Sequence, residues 1–134
     1  MTFVALTLDK PNLNGRVYPT DVVAKAVEKY REQIAERRGL GIIADYQHNP
    51  NIDIDLSKVS HIVESIDIVD NELRVGVRVL GTPAGESLQK LLADGGISFR
   101  PRGIGFLRQN EEGHSVVSDY TLISVDAILT ERAA

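Results

Sequence analysis

Cysteine is absent from this 134-residue chain, and so is tryptophan. Without cysteine there is no disulfide, no thiolate zinc site and no cysteine nucleophile. The three histidines leave few candidates for acid–base chemistry. No apolar run approaches the ~20 residues that a bilayer span needs. Met1-Thr2-Phe3-Val4-Ala5-Leu6 has neither a basic start nor a cleavage site, so no signal peptide is expected. The net charge of −4 is built from mixed signs and argues against a general nucleic-acid binder. The expectation is a soluble intracellular protein that contacts neither membrane nor nucleic acid directly.

What is present fits one domain over residues 1–134. A chain of this size buries roughly two-thirds of its unfolded surface and needs no staples. Phe3–Leu8 reads as a strand, and Asp9–Gly15 as a turn rich in Asp, Asn, Pro and Gly. Val22, Val23, Ala26, Val27, Tyr30 and Ile34 fall at helical spacing. A helix is predicted over 20–37, capped by Thr20 or Asp21 and stopped by Arg37-Arg38-Gly39. Leu40–Tyr46 reads as a buried strand, and Ile52–Leu56 as a loop or edge strand. Lys58–Val69 reads as a bent strand that turns at Asp70-Asn71 into Glu72–Leu80, where Leu73, Val75, Val77 and Val79 alternate inward. Thr82-Pro83 opens a second helix, with Ala84, Leu88, Leu91 and Leu92 as its buried stripe, and Gly95-Gly96 closes it. Ile97–Phe99 and Gly103–Arg108 read as strands broken at Pro101; Ser115–Ser118 and Tyr120–Leu129 are the last strands. The sum is an α+β domain with two principal helices and a mainly antiparallel sheet, closed or nearly closed into a barrel.

The stretch Gly95–Gly105 combines glycines, arginines and one hydroxyl, Ser98. Glycines permit close backbone approach, and arginines supply fixed donors. A serine becomes a nucleophile when a base takes its proton. His48, in Ala44-Asp45-Tyr46-Gln47-His48-Asn49-Pro50, is the one plausible base. In isolation, Ser98 reads better as the end of a helix-to-strand turn and His48 better as an exposed loop residue.

The order Asn12-Leu13-Asn14-Gly15-Arg16-Val17-Tyr18-Pro19, His48-Asn49-Pro50, Val59-Ser60-His61, Gly81-Thr82-Pro83-Ala84-Gly85 and Gly96-Ile97-Ser98 resembles the prohead proteases of tailed phages. These are capsid-maturation serine endopeptidases, distantly similar to the herpesvirus assemblins. The resemblance covers about residues 9–129 and implies an assemblin-like fold, no cofactor and no metal. It implies Ser98 as nucleophile and His48 as general base. For the third member we favour Asp126, a carboxylate in an otherwise apolar final strand, where a charge is costly unless paired. Asp119 and His61 are the alternatives. Arg100, Arg102 and Gly103 would form the oxyanion hole and contact substrate, although Pro101 has no amide to donate. The partners implied are capsid and scaffold proteins, met in the host cytoplasm inside the assembling prohead. Dimers or higher assemblies remain open by the same analogy. The family often cuts after a glutamate preceded two positions earlier by Leu or Ile; Leu129-Thr130-Glu131 fits self-trimming, but Ile34-Ala35-Glu36 and Ile62-Val63-Glu64 fit as well inside predicted elements, so the motif is common by chance.

Bland readings stand beside these. His61 reads as a packed strand residue and His114 as a solvated turn. Asn14–Pro19 reads as a turn, an anchoring aromatic and a helix start. A catalytically inactive scaffold or assembly-core protein would share the fold. A small ligand-binding or metal-binding β-domain would use His48, Asp53 and Asp55.

Overall fold

The computed structural model describes residues 1–44 and 54–129. His48, Asp45, Asp53 and Glu131 lie outside them. In chain order the elements are β1 (Thr2–Thr7), β2 (Arg16–Val17), α1 (Thr20–Ala35), β3 (Leu40–Ala44), β4 (Val59–Val69), β5 (Glu72–Val79), α2 (Pro83–Asp94), β6 (Ile97–Gln109) and β7 (Ser115–Leu129). A single 3₁₀ turn, Leu56–Lys58, precedes β4, and the Asp55 carboxylate accepts from the Ser57 amide at 3.0 Å to cap it.

The strands form one sheet in the order β1-β5-β4-β3-β7-β2, with β6 on the other side of β7. The sheet is mixed and open, not the closed or nearly closed, mainly antiparallel barrel that was expected. β7 takes β2 and β3 as parallel neighbours and β6 as an antiparallel one. The sheet curls as a half-barrel until its two edge strands meet by side chains alone: the Phe3 ring on β1 stacks on Phe99 of β6 at 4.2 Å.

Local sequence explains most of the elements. The β4–β5 turn puts both Asp70 and Asn71 at positive φ, 52° and 61°, which is the twist a two-residue hairpin favours. Leu73, Val75 and Val77 bury one face of β5. β4 bends at a register shift between Val63 and Ser65. Thr82 caps α2 by accepting from the Gly85 amide at 3.0 Å, Pro83 fills the first turn, and Gly95 ends it in the left-handed conformation at φ 76°.

Helix α1 departs from expectation at both ends. Neither Thr20 nor Asp21 caps it. The Asp9 carboxylate reaches from upstream, taking the Thr20 amide at 2.8 Å and its hydroxyl at 2.6 Å. These bonds hold the Asp9 carboxyl below its ordinary pKa. At the far end Arg37, not Gly39, takes the left-handed turn, at φ 60°. Gly39 is needed for closeness instead, since a Cβ there would lie 2.8 Å from the Val63 carbonyl oxygen.

Strand β6 runs unbroken through Pro101, where two strands were expected. Among the described residues it is an edge strand, paired with β7 alone, so the missing N–H costs no ladder bond. β7 is likewise continuous; the expected break survives only as Asp119 at φ 49°, beside a register shift. The core is one cluster in which Val23, Val27 and Tyr30 of α1 join Leu88 of α2 with Val63, Val75, Phe99, Val125 and Ala127 of the sheet.

Candidate active site

Ser98 lies on β6, directly across the ladder from Ile128 of β7. Strand periodicity then puts Ser98, Arg100 and Arg102 on one face, with Ile128, Asp126 and Ser124 opposite them on the same face. On its other side, Ile128 of β7 is paired with Ala44, the end of β3. Ser98, Ile128 and Ala44 are thus neighbours in a row across three strands.

Asp126 is wholly buried. Its Oδ1 accepts from the Ser124 hydroxyl at 2.9 Å and from the Ile42 amide at 3.2 Å, and its Oδ2 faces Arg102 Nε at 3.1 Å. Arg102 Nε also donates to Ser124 Oγ at 3.0 Å. A charge in an apolar strand is tolerable because a buried guanidinium balances it. The Tyr30 hydroxyl is buried as well; burial and the nearby Asp126 charge raise its pKa.

The two alternative third members are placed differently. Asp119 is exposed on β7, roughly 30 Å along the strand from Ile128. His61 is wholly buried, with both ring nitrogens engaged. Nδ1 pairs with the Ser60 hydroxyl and Nε2 with the Val125 carbonyl, each at 2.8 Å. The carbonyl can only accept, so Nε2 carries the proton and Nδ1 accepts from Ser60. Burial lowers the His61 pKa, partly offset by the Val125 bond and the Asp126 charge.

An open cleft of about 820 Å³ runs between β1 and β6. Ser98 and Arg100 line one wall, Phe3 and Leu6 the other, and the turn Lys10–Asn14 overhangs it. Of the three residues expected to surround the oxyanion, only Arg100 lines this cleft. Arg102 turns to Asp126, and Gly103 packs so closely on Tyr120 that a Cβ would lie 2.5 Å from its hydroxyl. Sequence reasoning missed Lys10 and Leu13 as cleft residues; the one signal was a leucine between two asparagines in a polar turn.

Among the described residues no group of three or more carboxylates and histidines is arranged to hold a metal ion. Comparison with protein families decides the class: the model described as prohead core protein serine protease matches residues 4–134. The chain belongs to that family. This prohead protease family member is also similar to a solved structure, the bacteriophage T4 capsid assembly protease, gp21. The TM-score is 0.84 at 25% identity, covering 96% of this chain and 79% of that one. No curated protein matches the chain. Family membership makes this prohead protease a peptidase of the serine class, of the capsid-maturation type.

Proposed function

We propose that this protease cleaves capsid and scaffold proteins within the assembling prohead, with Ser98 as nucleophile, His48 as general base and Asp126 orienting the imidazole. The observation that carries the reading is the row Ser98–Ile128–Ala44. Two strand spacings separate Ala44 from Ser98, roughly 10 Å. The four residues from Ala44 to His48 can span up to about 14 Å. A tether of that length is sufficient for the base to reach the hydroxyl. Asp126 supports the same arrangement: it shares the face of Ser98, and its carboxylate already holds the Ile42 amide of the strand that leads to His48.

In this mechanism the imidazole takes the Ser98 proton as the hydroxyl oxygen attacks the scissile carbonyl carbon. The same proton passes to the leaving amine, and water then releases the acyl group by the reverse sequence. Asp126 fixes the imidazole tautomer, with Arg102 balancing its charge. Arg100, the exposed cation beside Ser98 in the cleft, contacts substrate.

The test is Ser98→Ala beside the wild-type chain on a prohead core-protein substrate. Turnover is expected to fall by about 10⁴-fold or more. An unchanged rate removes Ser98 from the mechanism.

A further inference from the structure

The turn Lys10–Asn14 is built with more care than a connection requires. Asn12 Oδ1 accepts from the Asn14 amide at 2.9 Å and the Arg16 amide at 3.0 Å. The Asn12 amide donates to the Arg16 carbonyl at 2.9 Å, and the Gly15 amide donates to the Asn12 carbonyl at the same distance. Gly15 sits at φ 71° and Asp9 at φ 64°, conformations that fix both ends of the turn. Asp9 is pinned in turn by its amide, which donates to the Tyr18 carbonyl at 2.9 Å, and by its clasp on Thr20. The result is a turn braced by its own hydrogen bonds that lines the cleft containing Ser98.

At its tip stands Leu13, fully exposed, more so than any other large apolar residue described. Nothing in the turn's hydrogen bonding uses that side chain. Asparagine, serine or glycine would serve the turn equally and would not leave an apolar side chain in water. The cleft beneath it runs along two sheet edges that share no ladder, β1 and β6, and touch at the Phe3–Phe99 stack. An unpaired edge of that kind accepts an extended peptide, whose main chain pairs with the edge while alternate side chains point to the cleft walls.

We infer that the Lys10–Asn14 turn is a specificity element, with Leu13 packing on an apolar side chain of an extended peptide held beside Ser98. The inference rests on the protease reading of the cleft. Its contribution is binding energy that distinguishes one peptide from another, realised only when the apolar side chain sits in the right register. A turn so braced is suited to this, because little freedom is lost when the contact forms.

The test uses the full chain carrying Ser98→Ala, so that bound peptides stay intact. The probes are fluorescein-labelled octapeptides of Ser and Glu in which a single Leu is walked along the sequence, read by anisotropy. One register of Leu is expected to tighten binding by about tenfold over the Leu-free peptide. Adding Leu13→Ser should abolish that gain and leave the affinity of the Leu-free peptide unchanged. Adding Leu13→Met should retain most of the gain. Leu13 is exposed, so circular dichroism and thermal midpoints should be the same in all three proteins. A gain that survives Leu13→Ser, or no register that tightens binding, overturns the inference. Cleavage of a prohead core-protein substrate reports separately: equal rates with and without Ser98→Ala would remove Ser98 from the mechanism and leave the peptide site standing.

Discussion

Arg102 Nε lies 3.1 Å from Asp126 Oδ2, with both side chains sealed from water. The pair joins adjacent strands beside the proposed nucleophile, so it is structural before it is anything else. Removing the cation alone takes away a guanidinium that lies 3.1 Å from a buried carboxylate. Arg102→Met should therefore cost about 3–5 kcal/mol in urea denaturation. Replacing both, as Arg102→Met with Asp126→Leu, should recover part of that stability, the rest being lost with the acceptor for the Ile42 amide, while abolishing proteolysis. Equal stability of the single variant and wild type would show that the charges do not depend on each other.

Asp126→Asn separates the catalytic contribution from the structural one. The amide keeps the shape and one acceptor, so the fold should persist with a lower melting temperature. Loss of the carboxylate that fixes the imidazole tautomer should lower kcat by about 10⁴-fold with little change in KM. A kcat within tenfold of wild type would assign Asp126 to the ion pair alone.

His61 gives the chain a defined acid response. Burial depresses its folded-state pKa below the ordinary value of 6.5, so the unfolded chain binds the extra proton first. Stability from this group is thus fully present above pH 6.5 and declines as pH falls from 6.5 toward the depressed folded value. Protonation would also turn Nδ1 into a donor facing the Ser60 hydroxyl. His61→Asn should be less stable than wild type at pH 7.5 but lose less on going to pH 5.5. Urea midpoints at the two pH values measure both effects; parallel losses in the two proteins would show that His61 does not titrate.

Much of this arrangement was legible in the chain. The Asp70-Asn71 turn and the Thr82-Pro83 start are local signals, and the structure follows them. Where local chemistry and long-range partners compete, the sequence misled. Thr20 looks like a helix cap until Asp9 supplies the acceptor from eleven residues away. Pro101 looks like a strand break unless β6 is known to be an edge. Sheet closure depends on whether β1 and β6 share a ladder, and alternation within each strand carries no information about that. At the site, Ser98 and Asp126 were readable as chemistry. Their common face, and the turn of Arg102 away from the cleft, follow from a register that only the folded ladder fixes.

Gly41 on β3 and Gly95 after α2 test whether close approach or backbone freedom matters more near the site. A Cβ at Gly41 would fall on the His61 ring and lie 2.5 Å from the Val125 carbonyl oxygen. Both neighbours are buried and hydrogen-bonded to each other, so neither can yield cheaply. Gly41→Ala should cost on the order of 3 kcal/mol. It should also lower activity, because pushing Val125 shifts Asp126 next to it. At Gly95 a Cβ would meet nothing within 4 Å, and the only penalty is the positive φ of 76°. Gly95→Ala should cost about 1 kcal/mol and leave kcat unchanged. Chemical denaturation and steady-state rates on both variants decide it. If Gly95→Ala proves the more damaging, then β3 does not press on His61 as tightly as the geometry requires, and the coupling from β3 through His61 to the strand bearing Asp126 is lost.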